Sequence, residues 1–171
     1  MKARLPKKEQ VLMRIDRIEI MNMMTAAFDI ALIEGHGIGR KRLQRVHRCA
    51  KRIQHEYQIA WEGRLDDTCR AMQKVLESRK IQFKLHNGDS KTMIIAKEHD
   101  LDIMILLLAE SEVLKHGGVR CLRTFDRTLE TIRYTNRTFS GIAREALASM
   151  RSRIDGYVGA GIWMEWADDL A

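Results

Sequence analysis

The stretch GHGIGRKRLQRVHRCAKRI, residues 35–53, decides how this chain folds. It places glycines at 35, 37 and 39, and no carboxylate occurs between Glu34 and Glu56. Beyond the glycines, Leu43, Val46, Ala50, Ile53, Tyr57 and Ala60 recur at spacings of 3, 4, 3, 4 and 3, which is one apolar stripe on a helix. Before them, Val11, Ile15, Ile18 and Met21 at spacings of 4, 3 and 3 predict a long helix over residues 8–34, stopped by Gly35. The unit is a helix, a glycine turn (Gly35, Gly37, Gly39) and a second helix.

A phosphate-binding loop does not fit this turn. Such loops are entered from a strand and need a hydroxyl after the GK pair, whereas a helix enters here and Gly39 is followed by Arg40 and Lys41. The spacing is also GxGxG, not the GxGxxG of dinucleotide sites. A helix-turn-helix fits better, with Gly37, Ile38, Leu43 and Val46 at the required spacing. Ile33 departs from it, because a small residue usually stands there to let the two helices cross closely.

The second helix is an expected anion-binding surface. Lys41, Arg45, Arg48 and Arg52 form one exposed stripe, and Arg40, Arg42 and Lys51 widen it. With no interleaved acid these cations repel one another, and they begin at a helix N-terminus whose dipole also favours anions. Arginine outnumbers lysine, which suits bidentate contact with phosphate, guanine or carboxylate.

Working outward, Leu65, Met72, Val75 and Leu76 extend the helical pattern beyond a break at Gly63. IQFKL at 81–85 alternates apolar and polar residues, yet has no evident partner strand, so it is expected to be an extended linker. A boundary placed here separates a basic helical lobe, 1–80, from a second lobe, 81–171. In the second lobe LDIMILLLA, residues 101–109, is too uniformly apolar to face water. The KHGG turn at 115–118 then leads into a helix with Leu122, Phe125, Leu129 and Ile132 as its stripe. Offset by 79 residues, Gly39, Leu43, Val46, Ala50 and Ile53 match Gly118, Leu122, Phe125, Leu129 and Ile132, which suggests two related hairpins. A last pair of helices is expected over 138–155 and 161–170. The second would carry Trp163 and Trp166 beside Asp168 and Asp169, as a core anchor or as a contact surface for a protein partner.

Composition agrees with an all-α fold of two helical lobes with at most one short strand: 171 residues, 45% hydrophobic, 31% charged and a single proline. Net charge is +7, and the excess lies in residues 1–80, with 18 Lys/Arg against 10 Asp/Glu. That asymmetry points to an anionic partner. Cys49, Cys69 and Cys121 form no CxxC pair, so reduced thiols and a cytoplasmic location are expected. The N-terminus leads into no apolar leader segment, and the longest apolar run, Ile103 to Ala109, is too short to span a bilayer.

No catalytic set emerges. His36, His47, His55, His86, His99 and His116 show no HxxxH or HExxH spacing, so neither a metal nor another cofactor is expected. Asp66 and Asp100 suit first turns of helices, and Glu110 with Glu112 a solvated face. Met13, Met21, Met23 and Met24 crowd the first helix, suiting an adaptable core or a helix-exchanged homodimer.

The hairpin AAFDIALIEGHGIGRKRLQRVHRCAKRI resembles small helical accessory proteins of Firmicutes phages and prophages. Ala31, Leu32, Gly37, Gly39, Arg42 and Leu43 carry the likeness. The resemblance implies a mobile-element protein that acts by binding inside a bacterial host cell. Counter-defence is one such role, and an anti-CRISPR inhibitor of an RNA-guided nuclease would engage the CRISPR nuclease complex or its nucleic acid through the basic helix. A helix-turn-helix DNA-binding regulator is the alternative.

Overall fold

The computed structural model describes residues 7–61, 64–139 and 143–162, and across them it is all-helical with no strand. Its helices are α1 (Lys7–His36), α2 (Arg40–Trp61), α3 (Leu65–Ser78), α4 (Lys91–Leu114), α5 (Gly118–Thr138) and α6 (Ala143–Val158). No described helix is long and apolar enough to cross a membrane. Trp163, Trp166, Asp168 and Asp169 lie outside the described residues, as does Gly63.

Both expected helix–glycine turn–helix units are present as consecutive helices, α1–α2 and α4–α5, but α1 and α2 scarcely pack on each other. Gly37, at a φ of 63°, ends α1. Its amide donates to the Ile33 carbonyl at 2.9 Å, and the Ile38 amide reaches back to Leu32 at 3.4 Å. This is a left-handed helix cap closed by a buried contact between Leu32 and Ile38. Lys80, also at a φ of 63°, closes α3 in the same way, with the Ile81 amide 2.9 Å from the Leu76 carbonyl. At the start of α4 the Ser90 hydroxyl accepts the Met93 amide at 3.2 Å.

The hairpins interlock. α1 packs on α5 and α6, whereas α2 and α3 pack on α4. One continuous apolar cluster runs from Met21 to Ile162, with Phe28, Leu32, Leu43, Leu76, Met104 and Leu107 at its centre. The segment at 81–90 therefore joins two sequence regions that share a core. Residues 81–88 form neither helix nor strand, and side chains hold their backbone in place. Gln73 Nε2 donates to the Phe83 carbonyl at 2.7 Å, and the His86 amide donates to Asp100 Oδ2 at 2.7 Å. Asp100 is thus a buried mid-helix residue of α4, not the first-turn residue expected. Asp66 does stand in the first turn of α3.

α5 departs from its expected stripe. Leu122, Phe125, Leu129 and Ile132 are only half-buried, and Cys121, Thr124, Thr128 and Thr135 face the core instead. The threonine hydroxyls make this possible: Thr128 and Thr135 each donate to the carbonyl four residues earlier at 2.7 Å, leaving a short, satisfied surface against α1. Three of the displaced side chains, Phe125, Leu129 and Ile132, line a cavity of about 780 Å³ with Met23, Met24 and Phe83. Gly117, rather than Gly118, takes the place Gly39 holds before α2, so the hairpins correspond one residue earlier than the sequence match suggests.

Candidate anion-binding turn and a buried histidine–glutamate cluster

Two amides of the glycine turn, the Gly37 and Ile38 N–H groups, are spent on capping α1 and cannot cradle a phosphate. What the turn does is start α2 with Arg40, Lys41 and Arg42 and no acid in the first turn. The apolar stripe is as expected, with Leu43, Val46, Ala50 and Ile53 all buried. That orientation turns Lys41, Arg42, Arg45 and Arg48 outward, exposed and without a hydrogen-bond or ion-pair partner among the described residues.

Two of the expected cations are committed elsewhere. Arg40 Nη1 donates to the Val158 and Ala160 carbonyls at 3.1 and 3.0 Å, tying the start of α2 to the end of α6. Arg52 is paired with Glu56 at 3.0 Å and with Glu112 of α4. Lys51 is half-buried. Glu34, the last acid before the basic run, is paired with Arg153 and accepts the Tyr157 hydroxyl at 2.8 Å. The turn gains arginines from α5 as well. The Arg127 side chain lies across Gly35, where a Cβ would meet its Cδ at 3.2 Å. Arg120, Arg123 and Arg127 all lie close enough to His36 to disfavour its protonation, after burial, the larger cause.

Behind this charged turn lies a group that local spacing did not reveal. Glu110 of α4, expected on a solvated face, is fully buried, because it follows an apolar run that fills the core. Its Oε1 accepts the Thr124 hydroxyl at 2.7 Å and lies 2.7 Å from His116 Nδ1. His36 Nε2, at the end of α1, lies 2.9 Å from the Thr124 hydroxyl. The two imidazole rings are 4.6 Å apart at 58°. Burial pushes the Glu110 carboxyl up to about 8, against a smaller opposing effect of the Thr124 hydrogen bond. Burial, and then Arg120, lowers His116. Glu110 Oε2 has no hydrogen-bond partner among the described residues.

The thiols are inert by comparison. Cys49, Cys69 and Cys121 are free and buried. Burial, reinforced by nearby carboxylates, pushes Cys69 and Cys121 up to about 12, which leaves almost no thiolate near neutral pH.

Compared with protein-family models, curated proteins and solved structures, the chain finds no match.

Proposed function

We propose that the protein acts by binding, and that it engages nucleic acid or a nucleoprotein through the outer face of α2. One observation carries this: Lys41, Arg42, Arg45 and Arg48 stand exposed, and unpaired among the described residues, at the start of a helix whose first turn holds no acid. Exposed, uncompensated cations at a helix N-terminus are costly to keep together unless an anion meets them. The sequence resemblance to phage accessory proteins makes the favoured partner an RNA-guided CRISPR nuclease complex, with inhibition of the nuclease as the outcome.

The alternative, a DNA-binding regulator, would use the same cations. It would also need α2 braced by the preceding helix, as in a helix-turn-helix, and α2 instead packs along α4. The two readings separate in one experiment at fixed physiological salt. Guide-loaded nuclease, with and without target DNA, is tested for capture and for blocked cleavage beside a gel shift on specific and random duplexes. Capture with blocked cleavage is expected. Tight retention of one duplex sequence over random DNA would replace the inhibitor with the regulator.

A further inference from the structure

His36, Glu110 and His116 take no part in the surface just described, and they need a different explanation. We propose that they form a binding site for a first-row divalent transition ion of the zinc class, clamping the end of α1 to α4 and the α4–α5 turn.

The donor set is two imidazoles and one carboxylate, a combination that suits zinc and its neighbours rather than calcium or magnesium. Each residue offers a ligand atom, and the three atoms lie within 4.8 Å of one another. A tetrahedral ion with bonds of about 2.0–2.2 Å holds its ligand atoms roughly 3.3–3.5 Å apart, so small side-chain rotations close the site. The independent observation is Glu110 Oε2, a fully buried carboxylate oxygen with no hydrogen-bond donor. Such an orphan is costly unless something cationic meets it. Thr124 and His116 Nδ1 both meet the other oxygen of that carboxylate, so an ion would replace the His116–Glu110 hydrogen bond while Thr124 keeps orienting the carboxylate.

Three protein ligands leave a fourth position for water or an exogenous donor. His36 is only partly buried, which gives an ion a path from solvent. Arg120, Arg123 and Arg127 oppose a cation at long range, but all three are exposed and screened by salt, whereas the ligand bonds form in a dry pocket. The consequence is structural. His36 directly precedes Gly37, so an ion here would fix the turn that launches α2.

The test uses the untagged full-length chain stripped with a chelator. Zn²⁺ is titrated calorimetrically, Co²⁺ is added for its electronic spectrum, and the Tm is followed with and without Zn²⁺. We expect one ion per chain, tetrahedral Co²⁺ bands and a higher Tm with Zn²⁺. His36→Asn and Glu110→Gln should each weaken binding at least about tenfold while leaving the helical circular dichroism unchanged. The wild-type measurements decide the matter even where a variant folds poorly. Absence of stoichiometric uptake by the wild type overturns the site, leaving a hydrogen-bonded network alone. Undiminished binding in both folded variants, or thiolate-to-cobalt charge-transfer bands, overturns it equally. Neither outcome bears on the anion-binding face of α2.

Discussion

His47 Nε2 of α2 lies 2.8 Å from Asp29 Oδ1 of α1, and both side chains are buried. α1 otherwise packs on α5 and α6 and α2 on α4, so this pair is a polar tether between the two helices. Burial alone would lower the His47 pKa. The Asp29 charge, its hydrogen bond and a further bond to the Ile162 backbone outweigh it and hold His47 above its ordinary value of 6.5. The surroundings of His47 thus favour the imidazolium, in which both ring nitrogens can donate.

The His47 contribution to stability should accordingly fall with rising pH. A histidine whose pKa is raised by folding contributes its full stabilisation below the unfolded value of 6.5, and loses it as pH climbs through the higher folded value. Glu110, held up to about 8, acts in the same direction, and His36 and His116, held low by burial, act in the opposite one, so the difference between variants isolates His47. Urea unfolding from pH 5.5 to 9 should show a steeper loss in the wild type than in His47→Gln. Asp29→Asn should cost about 3 kcal/mol at pH 6, where it leaves a buried imidazolium unpaired. Equal pH slopes in wild type and His47→Gln would refute the tether.

Much of the fold was legible because α2 has strong contrast: a cationic face makes the buried stripe of Leu43, Val46, Ala50 and Ile53 unmistakable. α5 lacked that contrast. Threonine reads as polar, yet a threonine that donates to the carbonyl four residues back is as buriable as valine, so Thr124, Thr128 and Thr135 took the core and Phe125 did not. The histidine–glutamate cluster was illegible by spacing because its members come from α1, α4 and the α4–α5 turn. One signal was present all the same. Glu110 directly follows LDIMILLLA, and a carboxylate ending such a run is more readily buried than solvated.

Two glycines of the opening turn should differ sharply on substitution. Gly37 is the left-handed cap, and a side chain there adopts a conformation that costs about 1–2 kcal/mol. Gly39 has open space around its Cβ position and an ordinary φ, so Gly39→Ala should cost about 0.5 kcal/mol through capping preference alone. Urea midpoints of the two variants check the order.

The neighbouring pair at the second turn separates for a steric reason. A Cβ on Gly118 would sit 1.9 Å from the Lys80 carbonyl oxygen, whereas one on Gly117 would meet nothing within 4 Å. Gly118→Ala must push α5 away from the end of α3 and should cost about 3 kcal/mol or more, with Gly117→Ala close to neutral. Comparable stabilities for the two would show that α5 does not start against Lys80.

Charge on α2 should divide into structural and binding roles. Arg45→Glu with Arg48→Glu removes mutual repulsion along one helix face, so the folded protein should be at least as stable as the wild type. The same double variant should lose nucleic-acid or nucleoprotein binding, and any residual binding should depend less on salt, the log–log slope shrinking by about two. Arg40→Ala should do the opposite. It frees the Val158 and Ala160 carbonyls at the end of α6, costing about 1 kcal/mol of stability while leaving affinity nearly unchanged. Thermal melts and a salt-dependent binding series on the three proteins decide this. If Arg40→Ala abolishes binding while the double reversal leaves it intact, the contact surface lies at the α2–α6 junction rather than along the outer face of α2.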